Sequence, residues 1–366
     1  MRPLLLLASF LLVPAAGAQP LPECHPPARY VAWPEADPVW QLCIQRPKDG
    51  GGATGSGLEL QQVFFRGRPV LARAQTPDLA VRHLEDPESP LCSGRCFTTW
   101  SRQELAFGID GERSQGWFET ARPVVTTCDR ARPQSFAGNC PWGEPWACQS
   151  GVALEAGADR LQLTSEVGAG WSRYTLRWVL HRDGRIEALV GALSEGRSCA
   201  RTPHHHEVTW RFDFDLGGLR RDEVSGPDGL PYRTAGRRSR QLDGDAGWQI
   251  RDPKSGRGYR LVPGAADLPF PPGELLVTTY GDPAPAGSCA EEGFGDVVGR
   301  ALAGEDPVLW YRARAFVDSD APYRCAWLGP TLLPTGHWGQ AADQLLFADG
   351  FESGDTSAWS ARQPAP

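Results

Sequence analysis

The stretch Pro203-His204-His205-His206-Glu207-Val208-Thr209-Trp210-Arg211-Phe212-Asp213-Phe214-Asp215 carries the residues of this chain best suited to chemistry. Alternation along a strand places His204, His206, Val208, Trp210, Phe212 and Phe214 on one face, and His205, Glu207, Thr209, Arg211, Asp213 and Asp215 on the other. The first face reads as core and the second as wet. Two imidazoles at i and i+2 on the dry face are either metal ligands, suited to Cu(II) or Zn(II), or core histidines hydrogen-bonded to neighbours. Two ligands alone bind a metal weakly, and His205, Asp318 and His337 are the candidates in sequence to complete a shell. The alternation of Glu207, Asp213 and Asp215 with Arg211 reads as a solvated strand with cross-strand ion pairs rather than as acid/base carboxylates. Other covalent chemistries find little support. Lys48 and Lys254 are the only lysines, and neither lies in an apolar segment that would suit a Schiff base. Ser172 has no Gly-x-Ser-x-Gly elbow around it.

The elements that must position these residues are strands. No long stretch has the 3.6-residue period of an amphipathic helix, whereas short alternating or apolar runs recur. They predict strands over 58–65, 69–74, 160–167, 172–181, 185–193, 205–216, 259–262, 274–280 and 308–316, and hence an all-β chain. Asp183-Gly184 between two of these runs marks a hairpin, because both residues tolerate positive φ. Residues 50–57 read as a flexible linker, and 120–150, with three cysteines and several prolines, as an irregular excursion pinned by disulfides.

Residues 1–18 read as a secretory signal, with Arg2 at the charged start, an apolar run over 4–13 and Ala16-Gly17-Ala18 at the cleavage site. The protein is therefore expected to be secreted or periplasmic. Ten cysteines, an even number in an exported chain, favour structural disulfides whose connectivity the sequence does not fix. The formal charge of −7 argues against nucleic acid or an anionic membrane as partner. No later segment approaches the roughly 20 apolar residues that span a bilayer.

Several blocks, taken in order, resemble the catalytic domain of the copper-dependent, quinone-containing amine oxidases. His204-His205-His206 with Arg211 and Asp213 meets that family's His-x-His strand followed by Arg-x-Asp. Gly57-Leu58-Glu59-Leu60 through Gly67 to Ala74, Tyr174 through Trp178, Arg182-Asp183-Gly184-Arg185-Ile186 and Trp248-Gln249-Ile250 are similar to its successive strands. Gly258 to Gly264, Leu275 to Tyr280 and Asp306 to Trp310 continue the likeness. The resemblance runs from about Trp40 to Trp338. It implies a large antiparallel β-sandwich (supersandwich) over 40–338, after an N-terminal extension at 19–39 and before a flexible tail at 339–366. By analogy it also implies a homodimer.

The resemblance implies a metal pair at His204 and His206, and it also marks departures. The position of the tyrosine that the family oxidises to topaquinone holds Ser172, which has no ring to oxidise. Tyr174 lies one strand repeat further along. The position of the third copper histidine holds Val317. The position of the catalytic aspartate holds Ile109, with Asp110 one step late as the candidate base. The expectation is a non-catalytic binding or metal-binding relative with an incomplete copper site, no topaquinone and an unknown small-molecule or protein ligand. The alternative is an active primary amine oxidase that uses displaced residues such as Tyr174.

Overall fold

The computed structural model describes residues 21–339 except 27, 46–57, 88–91, 99–117, 121–147, 150–151, 170–171, 195–198, 200–201, 219, 241–246, 271–272, 283–288, 290–297 and 319–324. Asp110, the signal segment, the 50–57 linker, most of the 120–150 excursion and the C-terminal tail lie outside the described residues.

Period-two sequences become strands here because each can bury one side. In Ser172–His181 (β10) the residues Tyr174, Leu176, Trp178 and Leu180 are all buried, and in His204–Phe214 (β12) so are His204, His206, Val208, Trp210, Phe212 and Phe214. Strands are numbered in chain order and form two sheets. One sheet has the order β1 (Arg29–Trp33), β2 (Trp40–Gln45), β3 (Glu59–Phe65), β4 (Arg68–His83), β12, β18 (Pro307–Val317), β17 (Leu275–Thr279) and β14 (Gly236–Arg238), with β5 (Cys96–Thr98) paired to β4. The other runs β13 (Glu223–Ser225), β15 (Trp248–Arg251), β16 (Gly258–Val262), β20 (Thr331–Thr335), β11 (Ile186–Ser194), β10, β9 (Arg160–Ala169), β8 (Val152–Ala156) and β6 (Phe118–Thr120). On this second sheet β19 (Ala326–Leu328) pairs with β11 and β7 (Cys148–Gln149) with β9. Pairing is antiparallel throughout except between β6 and β8.

The sheets face each other over one apolar core. Trp178 of β10 meets Phe212 of β12 edge-on, with ring centroids 6.2 Å apart, an arrangement aromatic quadrupoles favour. Trp40 of β2 donates its indole N–H to the carbonyl of His181 at 2.7 Å, so a buried polar atom ties one sheet to the other. The β10–β11 hairpin turns at Asp183-Gly184 as expected, with Gly184 at φ 96°. A Cβ there would come within 2.7 Å of the Phe65 ring, so the hairpin tip requires glycine for packing as well as for backbone conformation.

Several strands differ from those expected, among them β2, β8, β15 and β20, and one difference bears on the histidines' surroundings. Residues 29–33, assigned to the extension, form β1 on the sheet edge and bury Trp33 in the core. The run predicted to stop at 74 continues to His83, because Thr76 and Pro77 fall where the β4–β12 register shifts between Thr209 and Arg211. A proline is tolerated at such a bulge, where its missing N–H interrupts no ladder bond. That continuation decides what lies beside the histidines.

Candidate functional site

At one end of β12 the ladder places His204 between two neighbours: His83 of β4 on one side and Val317 of β18 on the other. His204 and His206 are fully buried and His83 nearly so. His204 Nδ1 lies 2.7 Å from the Thr202 carbonyl oxygen. A carbonyl only accepts, so Nδ1 carries the proton and the neutral ring turns its Nε2 lone pair inward. That Nε2 faces Nε2 of His206 at 3.3 Å. On its far edge, His206 Nδ1 lies 3.2 Å from the Tyr174 hydroxyl, contributed by β10 of the opposite sheet. Both rings are therefore oriented through Nδ1, by a carbonyl and by a phenol, with their Nε2 atoms converging. This is how imidazole ligands are commonly held by outer partners.

Electrostatics keep these rings neutral. Burial lowers the pKa of His204, and burial reinforced by His204, His83 and His205 holds His206 well below the usual histidine range. His83 is lowered to about 4 by burial and by the proximity of His204, against a backbone hydrogen bond at Thr202. Neutral imidazole is the form that binds metals.

The residues expected to complete a metal shell are not brought to this point. His205 points to the other face, its ring 5.3 Å from that of Phe316. Asp318 is exposed beyond the end of β18, and His337 is exposed after β20. Position 172 begins β10, paired with Ser194 and Ala169, two residues before Tyr174. The sequence reading missed His83. Its only signal was a histidine six residues past Pro77, which reads as the end of the preceding run.

The second face of β12 differs from the wet surface expected. Glu207 and Asp213 are 2% and 1% exposed, and Arg211 and Thr209 are buried with them; Asp215 is half-buried. Glu207 finds its partner on neighbouring β4, whereas Asp213 is paired within β12 itself. Arg82 Nε contacts Glu207 Oε1 at 3.0 Å, Arg211 bonds Asp213 at 2.9 Å, and Arg73 bonds Glu59 at 3.1 Å. The Trp310 ring packs over the Arg211 guanidinium at 5.7 Å. Burial raises the Glu207 and Asp213 pKa values, and the adjacent arginines oppose the rise. These pairs neutralise one another's charge and need no catalytic explanation, although Glu207 Oε2, Asp213 Oδ1, Arg211 Nη1 and Glu59 Oε2 are buried without a hydrogen-bond partner.

Just beyond β12, burial pushes the Asp222 carboxyl from 3.8 up to about 6, with Asp215 and Asp252 adding to it. The folded state then holds a proton that the unfolded chain has released, so stability contributed below pH 4 is lost as pH rises through 6. Asp222→Asn keeps an oxygen for the Leu216 N–H, which lies 3.0 Å from Asp222 Oδ2. This variant is expected to be more stable than wild type by about 1–2 kcal/mol at pH 7, after allowing for solvent screening, with the difference vanishing near pH 4. Urea titrations at the two pH values check this; an equal difference at both would contradict it.

Comparison with solved structures places the architecture. The amine oxidase of Aspergillus nidulans superposes with a TM-score of 0.57 at 14% identity over 92% of this chain and 56% of its own. This is the copper amine oxidase fold. The copper-containing benzylamine oxidase of Hansenula polymorpha gives a TM-score of 0.56 at 14% identity, covering 90% of this chain and 64% of that one. The Pichia pastoris lysyl oxidase gives 0.52 at 12% identity, covering 81% and 51%. The chain thus spans less than two thirds of the length of these copper amine oxidase-fold structures. No family model matches the sequence, and no curated protein matches it. Among the described residues the disulfides Cys24–Cys43, Cys92–Cys199 and Cys96–Cys289 join cysteine to cysteine, which fits a secreted protein. Among the described residues no helix is long and apolar enough to cross a membrane.

The copper that this fold implies can be tested against the residues present. Two imidazole nitrogens held at about 2.0–2.1 Å by a tetrahedral ion stand about 3.3–3.4 Å apart, and the Nε2 pair stands at 3.3 Å. That separation suits two coordination positions, and it is equally the length of a hydrogen bond in which one Nε2–H donates to the other Nε2. The residue opposite His204 on β18 is Val317, which has no donor atom. Among the described residues no three or more His, Cys, Asp or Glu side chains are already arranged to hold a metal ion.

Proposed function

We propose that this is an exported protein of the copper amine oxidase fold that has lost quinone chemistry and works as a binding module, with His204 and His206 able to hold a metal ion. The observation that carries the reading is the place of Tyr174. Its hydroxyl meets Nδ1 of His206, the edge of the ring opposite the converging Nε2 atoms. A phenol there orients a ligand and does not approach the ion. The serine at position 172 and the valine at position 317 support the same reading, since neither an oxidisable ring nor a third imidazole stands at those points of the ladders. Covalent amine oxidation needs an electrophilic cofactor, and fold alone does not supply one.

The active-oxidase alternative has one observation in its favour, because Tyr174 is the tyrosine that touches the histidine pair. Native protein titrated with phenylhydrazine, assayed for hydrogen peroxide with benzylamine and aliphatic primary amines, separates the two readings. The expected result is no coloured adduct and no peroxide above buffer. A stoichiometric adduct, with an oxidised residue at Tyr174 by peptide mass, would overturn the proposal.

A further inference from the structure

We propose that Asp222 is a proton-operated latch that holds the turn leaving β12, Leu216-Gly217-Gly218, against the sandwich in acid and loosens it above neutral pH. The latch is independent of the histidine pair. Leu216 is 1% exposed and belongs to the apolar core, and its backbone is gripped at both polar atoms. Its N–H donates to Asp222 Oδ2 at 3.0 Å, and its carbonyl accepts Arg257 Nη2 at 3.3 Å. The Gly217 backbone also bonds the Asp222 carboxyl. Gly217 lies so close to Asp252 that a Cβ would stand 2.6 Å from the carboxyl carbon. The Gly218 backbone bonds Asp215. Three carboxylates thus surround one short turn: Asp215 at the end of β12, Asp222 just before β13, and Asp252 just after β15.

Protonation decides when the grip holds. Asp222 is 7% exposed, and its buried Oδ1 has no hydrogen-bond partner, which leaves that oxygen to carry the proton. The charged groups facing the carboxyl are Asp215, Asp252 and Arg257; beyond them, at the entrance to β18, stand Asp306, Asp213 and Arg211. Burial, reinforced by Asp215 and Asp252 and opposed by the Leu216 and Gly217 backbone, lifts Asp222 to about 6. Asp306 is lifted to about 7 by burial and by Asp213, Asp222 and Asp215, against Arg211, so ionising Asp222 places a charge where a neighbour already resists one. Opening the turn returns the Asp222 carboxyl to water and to its ordinary value of 3.8. The closed turn therefore has its full advantage below pH 4 and loses it as pH rises through 6. Between pH 5 and pH 8 the open fraction should grow about tenfold from this one carboxyl. Local openings of this kind occur without unfolding of the whole domain.

The test is hydrogen exchange of the full-length protein from pH 5 to pH 8, corrected for the intrinsic pH dependence of amide exchange and read at Leu216. Each pH is repeated in urea below the unfolding transition. Amides of the β12–β18 ladder, followed in the same samples, report global unfolding and confirm that each protein is folded. The expected result is a rise of about tenfold in opening at Leu216 across this range, with no response to urea. Asp222→Asn keeps an oxygen for the Leu216 N–H and does not ionise, so its profile should be flat. A flat wild-type profile, or a variant that keeps the rise, overturns the latch. A rise at Leu216 that follows urea in step with the ladder amides also overturns it, because the titration would then act only through the stability of the whole sandwich.

Discussion

Replacing Asp267 by alanine is expected to destabilise the protein by about 3–5 kcal/mol, from three buried donors that lose a charged acceptor at once. The carboxylate is 5% exposed and accepts three hydrogen bonds. These come from the Tyr311 hydroxyl at 2.6 Å, the Gly264 N–H at 2.9 Å and the Gly329 N–H at 3.0 Å. Tyr311 belongs to β18 and Gly329 follows β19, so one side chain joins the two sheets. Gly329 has φ 132°, and a Cβ on it would lie 1.9 Å from the Ala188 carbonyl oxygen, so only glycine fits where this N–H meets Asp267. Alanine at 267 leaves all three donors without their acceptor, whereas Tyr311→Phe removes one donor from a carboxylate that keeps two. The phenylalanine variant should cost only about 1–2 kcal/mol. Equilibrium urea unfolding measures both. A loss below 1 kcal/mol for Asp267→Ala, or equal losses for the two variants, would contradict the bridging role.

Opening the Cys92–Cys199 bridge is the second large effect. It joins the segment leaving β4 to the segment entering β12 and closes 107 residues of chain. Just inside it, the Leu84 N–H bonds the Pro203 carbonyl at 2.8 Å, and then come His83 and His204 as ladder partners. The double substitution Cys92→Ser with Cys199→Ser is expected to cost about 2–5 kcal/mol, through the larger conformational freedom of the unfolded chain. It should also fray this end of the β4–β12 ladder more than the far end near Leu71 and Phe214. Amide exchange resolves the two effects: faster exchange confined to residues 79–84 and 202–206 is the expected pattern. Uniform acceleration would mean that the bridge stabilises the sandwich as a whole and does not hold the histidines.

Much of the fold was legible because strand alternation is local. From residues 204–214 alone, the period of two puts both histidines on the side of Trp210 and Phe212, and the structure buries that side. The Asp183-Gly184 turn was equally plain, since φ requirements belong to single residues. The reading faltered where neighbours are remote in sequence. Glu207 and Asp213 were expected on a solvated face carrying ion pairs, yet both are buried: Arg82 comes to Glu207 from β4, and Trp310 of β18 covers the Arg211 that pairs with Asp213 two residues away. A charged residue in a strand says nothing of whether another strand will bring it a partner. The continuation of β4 past Pro77 was hidden for a related reason. A proline reads as a strand breaker unless the opposing strand supplies a bulge.

What the sequence determined by itself is the all-β character of the chain and the facing of each long strand. These follow from which side chains leave water when the backbone is extended. What only the tertiary structure decided is the company His204 and His206 keep: Tyr174 from the opposite sheet, Thr202 at the strand entrance, and His83 from β4. Register between distant strands is set by how two whole sheets pack and by where bulges fall. No spacing within a single strand encodes it.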